Sequence, residues 1–288
     1  MFFSPELQLL DREAVEPDLH LQFAPAPYAR TFISHQFSRY PFHICRAQYM
    51  DTESPSMATV YLQSSAGGIF ANDRLCSRMH VLPGAMAHVT SQASTVVHRM
   101  DHGDAGHTVE IRIEGDGFLE YVPDPLILFP KARLRSYVRI QKDPSATVVL
   151  ADSFLAHDPT AGDEVFSLLY NEIRIEDLNQ KVLCLDRNVF SGDTFTGGAV
   201  GVMGSNSVQG TLLVLNASLE LNLACTMLRD SLRDHTDASV GVSTLPNHCG
   251  VWARVLSRDV VALRAALNEL WRTARKLLVG SYPNIRRK

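Results

Sequence analysis

The sequence has few means of holding itself together covalently, and none that local spacing reveals. Its five cysteines, Cys45, Cys76, Cys184, Cys225 and Cys249, are odd in number and scattered, without a Cys-x-x-Cys pair. Buried reduced thiols are expected rather than disulfides or a zinc site. No apolar run reaches the ~18 residues of a membrane span. No secretory leader is expected either, because Asp11, Glu13, Glu16 and Asp18 put acid where such a segment carries basic charge. The expectation is a cytoplasmic protein with no membrane association. Positive charge is not in excess either: a net charge of -4 argues against a surface whose affinity for nucleic acid rests on phosphate contacts.

What is present is globular. Hydrophobic residues make up 45% and charged residues 20% of 288 positions, enough for a full core in one large domain. Residues 1–18 carry Pro5, Pro17 and several acids without sustained periodicity, so a loosely ordered lead-in is expected there.

From Leu19 onward short alternating runs dominate. Leu19–Phe23, Met57–Gln63 and Leu75–Leu82 read as strands, and Val109-Glu110-Ile111-Arg112-Ile113-Glu114 is the clearest, with every second residue apolar. Gly115-Asp116-Gly117 reads as the turn of a hairpin returning through Phe118–Val122. Leu134, Val138 and Ile140 mark one face of a further strand. The central stretch is Gln63-Ser64-Ser65-Ala66-Gly67-Gly68-Ile69-Phe70-Ala71-Asn72-Asp73-Arg74-Leu75, where paired glycines sit between two such runs. They allow backbone angles closed to other residues, or a close backbone approach. A wide hairpin or bulge is the plainest form of this loop.

The carboxyl-terminal third is less uniform. Gly198-x-x-Gly201-x-x-Gly204 is followed by neither a helix nor a Lys-Ser/Thr pair, so it is not read as a phosphate-binding loop. Thr211–Leu215 is a wholly apolar buried strand. Ala217–Arg233 has Leu219, Leu223, Met227 and Leu232 at helical spacing. The strongest helix carries Val260, Leu263, Leu267, Leu270, Ala274 and Leu277, widened by Trp271 and Leu278. Ser257 or Asp259 caps its start, and Gly280 with Pro283 ends it. The stripe is simplest as core packing, with Leu270, Trp271 and Arg275 as candidates for a partner surface in the second reading. The fold class is therefore mainly β: stacked antiparallel and mixed sheets in one large domain with two C-terminal α-helices.

Three motifs stand in register along this chain. They are Gly67-Gly68-Ile69 with Asp73-Arg74-Leu75; Ser91-Gln92-Ala93-Ser94-Thr95 with Arg99; and Leu119-Glu120-Tyr121-Val122-Pro123 with Ile127-Leu128-Phe129 and Ala132-Arg133-Leu134. In order and separation they resemble the urease accessory protein UreD family, called UreH in some species, and Trp271 matches the family's tryptophan in the last helix. The resemblance runs from about Leu19 to Gly280, so residues 19–288 are expected as one UreD-like β-rich domain. It implies a non-catalytic chaperone that joins UreF and UreG on apo-urease and helps nickel reach the active site. A homodimer within such a complex stays open. The chain departs from the family at Ser64-Ser65-Ala66, where Pro-Pro is usual, at Ala71-Asn72, and at Val96 and His98, which keeps a divergent adaptor with another client as an alternative.

No nucleophile, base and orienting acid stand at a recognisable spacing, so no enzyme is expected. Gly67, Gly68, Ser91, Gln92, Arg99 and Glu120 are the motif residues. Asp73, Asp152, Asp163 and Glu164, with Ser91 and Gln92, are candidates for lining the water-filled passage that the resemblance implies. Carboxylates there would attract hydrated nickel(II) transiently, with no tightly bound cofactor; ordinary surface solvation is the alternative for each. His80, His88, His98, His102 and His107 fall in one stretch with Asp101 and Asp104, a donor set suited to nickel or zinc, and a metal-dependent hydrolase built on His98–His107 is the competing function. Their spacing would place His98 and His102 on one face only in a helix, where the sequence reads as strand and loop.

Overall fold

The computed structural model describes residues 16–27 and 30–284, so most of the lead-in expected over 1–18 lies outside the described residues. Two sheets face each other. The first has seven strands in the spatial order β14 (Val182–Phe190), β13 (Leu168–Asp177), β11 (Arg133–Lys142), β8 (Ala105–Ile113), β5 (Arg74–Val81), β1 (Leu19–Pro25) and β2 (Thr31–Ser38). The second has ten: β16 (Ala238–Thr244), β17 (Gly250–Ser257), β15 (Val208–Leu215), β12 (Thr147–Ala156), β9 (Phe118–Tyr121), β6 (Met86–Ser91), β4 (Ala58–Ser64) and β3 (Phe42–Ile44), with β10 (Leu126–Leu128) and β7 (Thr95–Val97) continuing it beside β12.

Alternation builds both sheets. Val109, Ile111 and Ile113 are buried while Arg112 between them is exposed, and Leu134, Val138 and Ile140 are buried on β11, as the period of two requires. The turns between strands differ from the sequence reading. The hairpin expected at Gly115-Asp116-Gly117 is instead a corner: β8 pairs with β5 and β11 in one sheet, and β9 pairs with β6 and β12 in the other. The hairpin expected around Gly67-Gly68 is corrected in the same way, since β4 and β5 lie in different sheets. Two alternating runs joined by a glycine turn look alike in sequence whether they pair with each other or turn away.

The chain therefore coils. From β4 to β13 the main strands alternate between sheets, stacking in parallel as β5, β8, β11 and β13 on one side and β4, β6, β9 and β12 on the other. Antiparallel strands β2 and β14 flank the first stack, and β15, β17 and β16 extend the second.

Apolar side chains fill the space between the sheets, with Leu21, Phe23, Met79 and Ile111 meeting Val60, Val89, Leu119 and Leu150. The outer face of the second sheet is also apolar, through Val149, Leu212, Val214, Val251 and Val255, and the helices cover it. β15 is consequently buried along its whole length, which is why its sequence does not alternate.

Two C-terminal helices are present, with a single turn α1 (Gly192–Thr196) before them. In α3 (Val260–Val279) the Asp259 carboxylate accepts the amides of Val261 and Ala262, and Gly280 closes the helix at φ 85°. α2 (Leu221–Asp230) is shorter than the expected Ala217–Arg233 and rotated from its leucine stripe. Leu223 is exposed, while Ala224, Cys225 and Leu228 pack inward.

Candidate functional site

The connections from second-sheet strands to first-sheet strands gather at one end of the coil, over 65–73, 92–104, 122–132 and 157–167. The return connections of the coil, at the opposite end, are tight turns over 82–85, 114–117 and 143–146. All three sequence motifs run through the loop end.

Gly68 fastens it. Its φ is +146°, and a Cβ built there would sit 2.3 Å from the Val96 carbonyl oxygen. The next residue, Ile69, donates its amide to that oxygen at 2.8 Å, and His98 returns an amide to the Ile69 carbonyl at 2.9 Å. The first two motifs are thus joined backbone to backbone, an approach that only glycine permits.

Beneath this junction lies a cavity of about 270 Å³ between the sheets. Gly67, Gly68, Ser91 and Gln92 line its loop end; Ser77, His107 and Ser136 line it from the first sheet, and Tyr121, Asp152 and Ser153 from the second. Polar groups from both sheets interrupt the apolar core here, which suits ordered water better than an empty void. Asp152, on β12, accepts a hydrogen bond from Asn171 Nδ2 at 2.6 Å. Burial pushes its carboxyl up to about 7, with Asn171 opposing the rise. Burial pushes His107 down to about 4, so its imidazole is neutral at neutral pH. Tyr121 is raised by burial and by the charge of Asp152. Asp152 and His107 nevertheless keep accessible surface, and they present it to the cavity. Asp124, paired with Arg264 at 2.6 Å, lines it as well, so the lining offers two carboxyl groups, a neutral ring nitrogen and hydroxyls.

The structure divides the predicted site residues. Asp152, Ser91 and Gln92 reach the cavity; Asp73, Asp163 and Glu164 do not. Asp73 folds its carboxylate back onto the Phe70 amide at 2.8 Å, a turn-forming bond. Asp163 is exposed in a left-handed turn at φ 57°. Glu164 meets Arg99 at 3.4 Å and Lys131 at 3.9 Å on the surface. These three carboxylates follow the surface-solvation alternative.

The stripe of the last helix follows its core-packing reading, and the partner surface given as the second reading is corrected. Leu270, Trp271 and Arg275 are buried inside the chain. Arg275 donates to both oxygens of Glu120 and to Asp51 Oδ2, and His88 Nδ1 lies 2.6 Å from Glu120 Oε2. Glu120 is drawn down to about 2, because His88 and Arg275 outweigh its burial. This motif glutamate anchors α3 to the second sheet.

The histidine stretch disperses. His80 lies 3.2 Å from Glu114 in the first sheet, His88 sits under α3, His98 stacks on Phe70 at 4.4 Å, His102 is exposed, and His107 alone enters the cavity. Among the described residues no three His, Cys, Asp or Glu side chains are placed to hold a metal ion.

Sequence reasoning missed Ser77, Ser136, Tyr121 and Ser153, and it set His107 in a histidine cluster rather than among the cavity residues. A signal existed for Ser77, His107 and Ser136: each stands two residues before an inward apolar residue, Met79, Val109 or Val138, and so continues the buried face of its strand.

Fold and cavity together define the class: a coiled two-sheet β scaffold, helix-covered on one side, with a cavity below its loop end that polar groups from both sheets enter. A family model described as "UreD urease accessory protein" matches residues 15–288. The chain is 38% identical over 269 residues to "Urease accessory protein UreD 1" of Pseudomonas syringae pv. syringae, covering 93% of this chain and 94% of that one. It is 38% identical over 258 residues to the protein of the same description in Methylorubrum populi, covering 90% and 87%, and 30% identical over 255 residues to "Urease accessory protein UreD" of Photorhabdus laumondii, covering 87% and 79%. The chain belongs to the UreD family of urease accessory proteins. No described helix is long and apolar enough to cross a membrane.

Proposed function

We propose that this chain is a cytoplasmic maturation factor for urease that performs no catalysis itself, joins apo-urease to UreF and UreG, and lets nickel(II) pass as cargo through its inter-sheet cavity. The observation that carries this reading is the lining: Asp152 from one sheet and His107 from the other face a shared cavity in an otherwise apolar core. A passage must attract a divalent ion without retaining it. Two carboxylates, Asp152 and the Arg264-paired Asp124, with one neutral imidazole and serine hydroxyls fit that requirement, because nickel accepts such donors but is held tightly only by several convergent ones.

Co-expression of the chain with urease subunits, UreF and UreG tests the proposal. Replacing Asp152 and His107 by alanine together is expected to leave the co-purifying complex intact and to lower nickel per urease active site several-fold. Full nickel content with the double variant overturns the passage. Failure of the wild-type chain to co-purify with these proteins overturns the partnership.

A further inference from the structure

On the outer face of the first sheet, two of the parallel strands, β5 and β11, begin at the loop end with arginine. The register places Arg74 of β5 beside Gly106 of β8, and Gly106 beside Arg135 of β11. Arg133 stands two residues earlier on β11, opposite Leu168 of β13. The row is therefore arginine, glycine, arginine, with a further arginine at its rim. Gly106 leaves the space between them, since a Cβ there would sit 3.1 Å from Arg74 Cδ.

Asp104 orients two of the three. Its Oδ1 accepts from Arg74 Nη2 at 2.7 Å and its Oδ2 from Arg135 Nε at 2.6 Å. Arg74 Nη1 is fixed by the carbonyls of Asp73 and Asp104, each at 2.8 Å. The neighbouring Asp73 carboxylate is turned away onto Phe70. Arg133 is exposed and has no ion pair or hydrogen bond among the described residues. Elsewhere on the face arginines find acids: Arg78 meets Glu110 at 2.8 Å and Arg187 meets Glu172 at 2.8 Å. Here three guanidiniums share one carboxylate, leaving two positive charges around a pocket of about 360 Å³ in a protein of net charge -4.

We propose that this pocket binds a tetrahedral oxyanion carrying close to two negative charges, inorganic phosphate or a phosphomonoester. Guanidinium forks recognise such oxygens in pairs, and arginines already held by Asp104 lose little freedom on binding. A dianion balances the two uncompensated charges; a single carboxylate leaves one unmet. The pocket is separate from the cavity between the sheets and does not depend on the nickel reading.

Calorimetric titration of the full chain with inorganic phosphate and with phenyl phosphate, against sodium acetate at matched ionic strength, tests the inference. Saturable phosphate binding is expected, with acetate ineffective. Arg133→Gln, which breaks no internal contact, should weaken phosphate about tenfold. Arg135→Gln should weaken it at least as much, with circular dichroism confirming the fold. Phenyl phosphate binding as tightly as phosphate identifies a phosphomonoester as ligand, and weaker binding identifies the free ion. Absence of saturation, equal response to acetate, or unchanged affinity in Arg133→Gln overturns the proposal. Capture of poly-glutamate without any response to phosphate also overturns it, in favour of an acidic protein segment.

Discussion

Arg275 of α3 and Glu120 of β9 meet through two hydrogen bonds although 155 residues separate them, and neither side chain reaches solvent. Asp51 and His88 complete the group. Two carboxylates face one guanidinium here, and the His88 ring nitrogen lies against the Glu120 oxygen that Arg275 also meets.

Arg275→Ala leaves the Glu120 and Asp51 carboxylates in a low-dielectric space without their main partner. A loss of roughly 3–5 kcal/mol is expected, because breaking a buried pair costs more than the pair contributes. Urea unfolding followed by circular dichroism checks this. Arg275→Met, which keeps volume but not charge, should recover little unless combined with Glu120→Gln.

Asp152 should cost the fold stability at neutral pH. Its folded value, about 7, lies above the ordinary 3.8, so the folded chain holds a proton that the unfolded chain has released. This contribution is full below about pH 4, declines as pH rises towards 7, and is gone above it. His107 has the opposite sign: with a folded value of about 4 against 6.5, it weakens the fold as pH falls through that interval. Asp152→Asn keeps an acceptor for Asn171 and removes only the first effect. The variant should be more stable than wild type at pH 8, by on the order of 2 kcal/mol, and nearly equal at pH 4. Denaturation midpoints at both pH values decide it; an equal difference at each refutes the assignment.

Gly68→Ala should be among the most damaging single-methyl changes. The added carbon meets a backbone oxygen at 2.3 Å in a conformation that disfavours side chains, at a cost of about 2 kcal/mol or more. Hydrogen exchange of the Ile69 amide, protected by Val96, should accelerate ahead of the core strands.

Asp73→Asn should behave as wild type, since an amide oxygen still accepts from Phe70. Asp73→Ala should lower stability by roughly 1 kcal/mol. Nickel content of activated urease should follow neither change, and a selective loss of nickel in Asp73→Asn would return this residue to the ion path.

Much of the architecture was legible locally. Alternation located Val109–Ile113 and Leu134–Ile140, and the cap and stop of α3 stood at Asp259 and Gly280. What failed depended on partners distant in sequence. The corners at Gly68 and Gly115 carry ordinary turn chemistry, and only strand pairing decides which sheet receives the next run. Arg275 looks like a cation near a helix C-terminus until Glu120 is placed opposite it. Among four acids chosen in loops and strand ends, Asp152 alone reaches the cavity. It lies on a strand, where the pleat assigns its direction, whereas Asp73, Asp163 and Glu164 lie in turns that offer backbone amides or surface cations.

The coil also limits how such a protein can change in length. Each circuit from β4 to β13 contributes one strand to either wall, so a strand gained or lost within a circuit would move every later strand to the opposite wall. Within the coil, growth or contraction is thus quantised in whole circuits, while the sheet ends accept antiparallel strands and the loop end tolerates irregular additions. A lineage can elaborate the rim of this scaffold gradually, but its interior can be deepened only by duplication of a complete turn.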